Sequence, residues 1–112
     1  MILNNLSAFI FTNYNNSIYT VEVVKSIYLN RHKSKFDIVI IDNNSNKKSK
    51  DILIDLKSQF PKLIIVFLKN NLGYFNGLNE GIRSLPSNTS LYDFVLIGNN
   101  DLYFENNFIA SV

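Results

Sequence analysis

Phe36-Asp37-Ile38-Val39-Ile40-Ile41-Asp42-Asn43-Asn44-Ser45 is the stretch whose reading decides the fold. Ile38, Val39, Ile40 and Ile41 follow one another without a polar interruption, and the chain then turns abruptly to a carboxylate and amides. A half-exposed strand alternates apolar and polar residues. A continuously apolar run of this length instead fits a strand covered on both faces, as in a parallel sheet flanked by helices.

The sequence on either side repeats the pattern. Upstream, Leu6 to Phe11 is a second strand-sized run, ending in Thr12-Asn13-Tyr14-Asn15-Asn16, where Asn15 or Asn16 can cap a helix. Ser17 to about Asn30 places Ile18, Val21, Val24 and Tyr28 on one helical face, with Val23 and Ile27 beside them. His32, between Arg31 and Lys33, suits the C-terminal dipole of that helix. Downstream, Ser49 and Asp51 open a helix with the apolar face Ile52, Leu53, Leu56 and Phe60, which Pro61 ends. Leu63 to Leu68 reads as a third strand. Phe75, Leu78, Ile82 and Leu85 give a third helical stripe stopped by Pro86, and Tyr92 to Ile97 is a fourth strand running into Gly98-Asn99-Asn100-Asp101. Residues 43–50 and 86–91 read as loops, with Lys47, Lys48 and Lys50 as a solvated stretch. Strict alternation of strand and helix predicts an α/β fold of mainly parallel strands joined by right-handed crossovers, with helices on both faces.

Ligands of open parallel sheets bind outside the carboxyl ends of the strands. Four polar clusters fall there: Thr12, Asn13, Tyr14 and Asn15; Asp42, Asn43, Asn44 and Ser45; Lys69, Asn70, Asn71 and Gly73; Asn99, Asn100 and Asp101. Taken singly, each reads first as ordinary turn chemistry. Asp42 also fits a cap or loop anchor, Tyr14 a ring packed over the first helix, and Gly73 a tight turn. Their convergence on one rim is what points to a ligand. Amides offer a donor and an acceptor together, which suits a nucleobase edge or a ribose diol, and Tyr14 offers a flat surface for a base. Asp101, with Asn99 beside it, supplies the hard oxygen that Mg²⁺ or Mn²⁺ prefers, and one carboxylate suffices where a diphosphate completes the shell.

The totals set the frame. The 112 residues suit one domain; 46% are hydrophobic and 18% charged, the balance of a globular chain. A net charge of +2 is too weak to argue for a nucleic-acid or membrane partner. No cysteine is present, which excludes disulfides and thiolate metal sites. Met1 to Ser7 lacks a basic n-region leading into a long apolar stretch and does not read as a signal peptide, and no apolar run reaches membrane-spanning length.

Taken together, four blocks resemble the family-2 glycosyltransferases of the GT-A fold. Ser7-Ala8-Phe9-Ile10-Phe11-Thr12-Asn13-Tyr14-Asn15 resembles the family's opening strand and Tyr-Asn turn, and Ile38-Val39-Ile40-Ile41-Asp42-Asn43-Asn44-Ser45 its second strand and Asp-rich turn. Asn71-Leu72-Gly73-Tyr74-Phe75-Asn76-Gly77-Leu78-Asn79-Glu80-Gly81-Ile82 resembles its Asn-x-Gly segment, and Phe94-Val95-Leu96-Ile97-Gly98-Asn99-Asn100-Asp101 the strand leading to its Asp-x-Asp motif. The Asp-Asn-Asn-Ser and Asn-Asn-Asp versions look most like the rhamnosyltransferase-type branch.

The resemblance implies a Rossmann-like GT-A sheet, incomplete at its C-terminus, that binds a UDP- or dTDP-linked sugar. It implies inverting, metal-assisted transfer to a saccharide or lipid-linked acceptor hydroxyl, in a cytoplasmic or inner-membrane peripheral setting of cell-surface polysaccharide synthesis. Tyr14 would flank the base, Thr12 and Asn13 would line its pocket with Asn15, and Asn43 would read the pyrimidine edge with Asp42 before it. Asn71, Gly73 and Asn79 would shape the ribose and diphosphate region, and Asp101 would hold the metal. Asn99 departs from the first aspartate of the Asp-x-Asp motif, Asn13 from the usual Thr or Ser, and the catalytic base is expected beyond residue 112. A non-catalytic nucleotide-binding or docking domain with a flavodoxin-like sheet is the competing reading. An uncovered strand edge or apolar face is also expected, with self-association or marginal stability as its consequence.

Overall fold

In a computed structural model, residues 6–30 and 35–100 are described; the readings on His32 and Asp101 lie outside them. The elements run β1 (Leu6–Asn13), α1 (Ser17–Asn30), β2 (Lys35–Asp42), α2 (Lys47–Gln59), β3 (Ile64–Phe67), α3 (Gly73–Arg83), a 3-10 turn (Thr89–Leu91) and β4 (Phe94–Asn99). The strands form one sheet in the order β3-β2-β1-β4, and every neighbouring pair is parallel. The α/β reading holds, with helices on both faces.

The strand order has a functional consequence. From β1 the chain steps outward through β2 to β3, then returns past β1 to lay down β4 on the other side. The direction of winding reverses between β1 and β4, which is where an open α/β sheet leaves a crevice at its carboxyl edge. The register keeps that edge level: Asn13 lies opposite Asp42, Asp42 opposite Phe67, and Thr12 opposite Asn99.

Alternation along the strands splits the core in two. Phe9, Phe11, Ile38 and Ile40 pack with Val23, Val24, Ile27, Leu53 and Leu56 from α1 and α2. Ile10, Val39 and Ile41 point the other way, to Leu78 of α3. Both faces of β1 and β2 are therefore apolar, and each such side chain stabilises the fold by about 1.5–3 kcal/mol. Glycines allow α3 to lie close: a Cβ at Gly81 would overlap Ile10 Cγ2, and one at Gly77 would stand 3.1 Å from Asn43 Nδ2.

Several boundaries and faces differ from the sequence reading. α2 begins at Lys47 rather than near Ser49, because Asn46 caps it: Asn46 Oδ1 accepts from Ser49 N at 2.9 Å. The predicted loop 43–50 is thus half helix, and the lysine stretch is its exposed first turn, with Lys47 bridging Asp51 at 2.8 Å. In α1 the buried stripe is Ser17, Thr20, Val23, Val24 and Ile27, while Ile18 is 63% exposed. The polar Ser17 and Thr20 face inward because a hydrogen-bonded interior claims them. In α3, Phe75 is 78% exposed and the contact surface is Gly77, Leu78 and Gly81, since close approach to the sheet needs the glycines there. β4 starts two residues later than expected, at Phe94, and Tyr92 instead packs inward and donates its hydroxyl to Asp37 Oδ2 at 2.7 Å. Burial and that hydrogen bond push the Tyr92 hydroxyl above its ordinary pKa.

The α3–sheet contact gives a direct test. Gly81→Ala gains helix propensity of about 1 kcal/mol but forces overpacking against Ile10, at a cost of about 1–3 kcal/mol. Urea unfolding is expected to show a net loss on the order of 1 kcal/mol, whereas Asn79→Ala, exposed on the same helix, changes stability by less than about 0.5 kcal/mol.

Candidate functional site

The carboxyl edge is built in two layers. The inner layer lies on the α1/α2 side, where Asn13 and Asp42 end β1 and β2 side by side. Asp42 is 0% exposed, and neutral groups hold its carboxylate. Asn13 Nδ2 donates to Asp42 Oδ1 at 2.9 Å, Ser45 Oγ to Oδ1 at 2.5 Å, and Ser45 N to Oδ2 at 3.0 Å. The network continues through the other end of the Asn13 amide. Thr20 Oγ1 donates to Asn13 Oδ1 at 2.7 Å, and Asn100 Nδ2 lies 2.9 Å from Thr20 Oγ1. Ser17 and Ser49 share a hydrogen bond that joins α1 to α2. A buried carboxylate is tolerable only when its lone pairs are satisfied in this way.

The second layer lies on the α3 side. Asn43 is buried, with Oδ1 accepting from Leu72 N at 3.1 Å and Nδ2 directed at Gly73 O at 3.4 Å. Thr12 shares this side, its Cγ2 beside Gly77. The turns carry left-handed residues: Asn15 at φ 54°, Asn44 at φ 63° and Gly73 at φ 78°. Asn and Gly are the residues that tolerate this conformation. Asn15 also ties the first turn to the second, since its N donates to Ser45 Oγ at 2.9 Å and its Oδ1 accepts from Asn46 N at 2.7 Å.

The predicted residues therefore separate by role. Tyr14 is 51% exposed on the rim, and Asn71 and Asn99 are exposed at the ends of their segments. Asn71 Oδ1 accepts from Gly73 N at 2.8 Å, which shapes the start of α3. Thr12 and Asn43 sit just inside the rim. Asn13 and Asp42 lie deeper, with their polar atoms engaged internally, so they brace the edge. Asn79 is exposed but set back, six residues along α3 from Gly73, or roughly 9 Å at helical rise. Ser17 and Thr20 were not singled out from sequence; their signal was two small hydroxyls at i, i+3 leading into the apolar stripe of α1. A cavity of about 610 Å³ lies between the starts of α1 and α2, lined by Asn15, Asn16, Ile18, Tyr19, Lys48 and Ile52 among others, so of the predicted residues it takes in Asn15. It does not include the Tyr14, Asn43 and Asn71 rim.

A parallel sheet with its switch point framed by amide-rich turns defines an α/β domain that can hold a ligand at the strand ends. The sequence profile of glycosyl transferase family 2 matches residues 8–112, and the chain belongs to that family. An uncharacterized glycosyltransferase of Nostoc sp. is 32% identical over 75 residues, which is 67% of this chain and 23% of that protein. Among solved structures, the fold is similar to the mannosyltransferase PcManGT from Pyrobaculum calidifontis, in complex with GDP-Man and Mn²⁺, with a TM-score of 0.72 and 18% identity over 95% of this chain. It is likewise similar to S. aureus TarS 1–349, with a TM-score of 0.73 and 18% identity over 95% of this chain. This chain covers 30% of each of those two structures. The first confirms the GT-A-type sheet; neither bears on the rhamnosyltransferase-type branch.

The inner layer predicts a stability effect. Asp42→Ala removes the acceptor of Ser45 N and Ser45 Oγ and the shortest acceptor of Asn13 Nδ2, so urea unfolding is expected to show a loss of about 2–4 kcal/mol. Lys48→Ala, on the exposed turn of α2, is expected to stay within about 0.5 kcal/mol of the parent.

Proposed function

We propose that this chain is the donor-binding part of a glycosyltransferase that takes a sugar from a nucleoside diphosphate, UDP or dTDP, and passes it to an acceptor hydroxyl. The observation that carries this reading is the level carboxyl edge. Parallel register and the β1/β4 reversal bring Tyr14, Asn43, Asn71 and Asn99 to one side of the sheet. The likeness to a mannosyltransferase whose structure holds a sugar nucleotide supports it.

In this reading Tyr14 flanks the base and Thr12 and Asn43 line its pocket, while Asn71, Gly73 and Asn79 shape the approach of the ribose and diphosphate. Asn13, Asn15 and Asp42 hold the first two turns in place. The donor set fits a hard divalent ion. Among the described residues no group of three or more His, Cys, Asp or Glu could hold a metal, and Asp42 is committed to the interior. Asn99 offers an exposed amide oxygen, and Asp101, outside the described residues, adds a carboxylate two positions on in the sequence; together with a diphosphate such oxygens would hold Mg²⁺ or Mn²⁺. When bound, such an ion supplies Lewis-acid stabilisation of the charge on the departing nucleoside diphosphate. Transfer is inverting in this reading, with an acidic base that deprotonates the acceptor supplied from outside residues 1–112. The setting is synthesis of a cell-surface polysaccharide in the cytoplasm or at the inner face of the membrane, by a rhamnosyltransferase-like enzyme. No helix among the described residues is long and apolar enough to cross a membrane.

Calorimetric titration with UDP and dTDP, with and without Mn²⁺, tests the reading. Binding of at least one nucleotide is expected to tighten with Mn²⁺, and Asp101→Ala is expected to remove that gain; Tyr14→Ala is expected to weaken binding on the order of tenfold, about 1.4 kcal/mol. A folded chain indifferent to both nucleotides in Mn²⁺ would overturn it.

The apolar edge supports a second expectation. Val95 and Ile97 share a face with Ala8 and Ile10 by register, but α3 packs over β1 and β2 and leaves them exposed. We expect the 112-residue chain to self-associate through this edge. Sedimentation velocity should show species above the 12.9 kDa monomer, shifting toward monomer in Ile97→Lys. A parent chain that stays monomeric at high concentration would contradict it.

A further inference from the structure

We propose that the side chains of Asn16 and Asn100 form a clamp that sets the turn after β4 against the turn after β1, so that the diphosphate side and the base side of the donor site move as one unit. The proposal rests on the donor-site reading above and identifies positioning residues within it.

The observation is a reciprocal amide pair between residues far apart in sequence. Asn16 Nδ2 donates to Asn100 Oδ1 at 3.1 Å, and Asn100 Nδ2 donates to Asn16 Oδ1 at 2.8 Å. Two antiparallel hydrogen bonds between planar amides fix orientation as well as distance, which a single bond does not. The second hydrogen of Asn100 Nδ2 is directed at Thr20 Oγ1 at 2.9 Å, with Asn13 Oδ1 at 3.2 Å and the Asn16 carbonyl at 3.3 Å as longer contacts. Asn100 is only 3% exposed, so water does not compete well for these bonds.

Each member of the pair is attached to a different side of the site. Asn16 Oδ1 also accepts from the backbone N of Tyr14 at 3.1 Å, so the same amide that holds Asn100 shapes the turn presenting the aromatic ring. Asn100 is the middle residue of Asn99-Asn100-Asp101, and its neighbours are the residues assigned above to the metal that the diphosphate shares. Consecutive Cα atoms are held about 3.8 Å apart across a trans peptide, so anchoring Asn100 limits where Asn99 can lie. The turn with Tyr14 and the turn with Asn99 are the two that frame the β1/β4 switch point. Replacing Asn100 by Asp would remove the Nδ2 donor that Asn16 Oδ1 and Thr20 Oγ1 accept from.

The test uses the whole 112-residue chain and two readouts. In amide NMR spectra of ligand-free, folded protein, Asn100→Ala is expected to shift the Tyr14 resonance, and Asn16→Ala the Asn99 resonance. In titrations with Mn²⁺ and whichever of UDP and dTDP the parent binds more tightly, Asn16→Ala, Asn100→Ala and the double variant are each expected to weaken binding by a similar factor, on the order of tenfold. Independent contributions would instead multiply to roughly a hundredfold. Binding of the same nucleotide without Mn²⁺ is expected to change less, a difference that a general loss of stability would not produce. Folded single variants that leave the Tyr14 and Asn99 resonances in place, or that multiply in the double variant, overturn the clamp. If the parent chain binds neither UDP nor dTDP in Mn²⁺, the donor-site reading is what has failed, and the resonance shifts alone decide the clamp.

Discussion

The carboxylate of Asp42 sits at the end of a central strand with no exposure to water, and neutral donors hold it. Removing a charge from water costs several kcal/mol unless its lone pairs are filled, so everything around Asp42 is arranged to fill them. Asn13 supplies one donor from β1 and Ser45 supplies two from the turn after β2. Those commitments dictate the rest. Asn13 turns its oxygen to Thr20, which draws a hydroxyl into the buried face of α1, and Ser17 and Ser49 join α1 to α2 alongside. The polar interior at the carboxyl edge thus determines how two helices meet the sheet.

This arrangement separates the work of adjacent residues. Strand alternation sends Asn13 and Asp42 to the α1/α2 side, while Thr12 and Asn43, their immediate neighbours, go to the α3 side. One member of each pair braces the edge and the other lies beside the crevice. Gly81 and Gly77 are the matching feature on α3, since a Cβ at the first would overlap Ile10 and one at the second would crowd Asn43. Tyr14, Asn71 and Asn99 are then left on the rim with exposed side chains.

The sheet was legible because Ile38 to Ile41 and Leu6 to Phe11 are apolar on both faces, a pattern with few other solutions. Strand ends and their polar turns were legible for the same reason. The faces of α1 and α3 were not, because their reading assumed that buried means apolar. Ser17 and Thr20 are buried through partners on other elements, and Phe75 is displaced to the surface by the glycines that make the contact. The start of α2 was missed because Asn46, one amide among many, was not distinguished as the cap ahead of three lysines. At the site, sequence indicated which residues gather at the edge but not which way each points. Direction depends on strand parity and on hydrogen bonds between turns, such as those linking Asn13 to Asp42 and Asn16 to Asn100.

The central claim is that the donor nucleotide lies at the carboxyl edge, across the β1/β4 switch point. Mapping amide chemical-shift changes on addition of a nucleoside diphosphate with Mg²⁺ addresses it most directly. The account predicts the largest changes at Tyr14, Asn43, Asn71 and Asn99. Changes concentrated instead on Ile18, Tyr19 and Ile52, around the 610 Å³ cavity between α1 and α2, would contradict it.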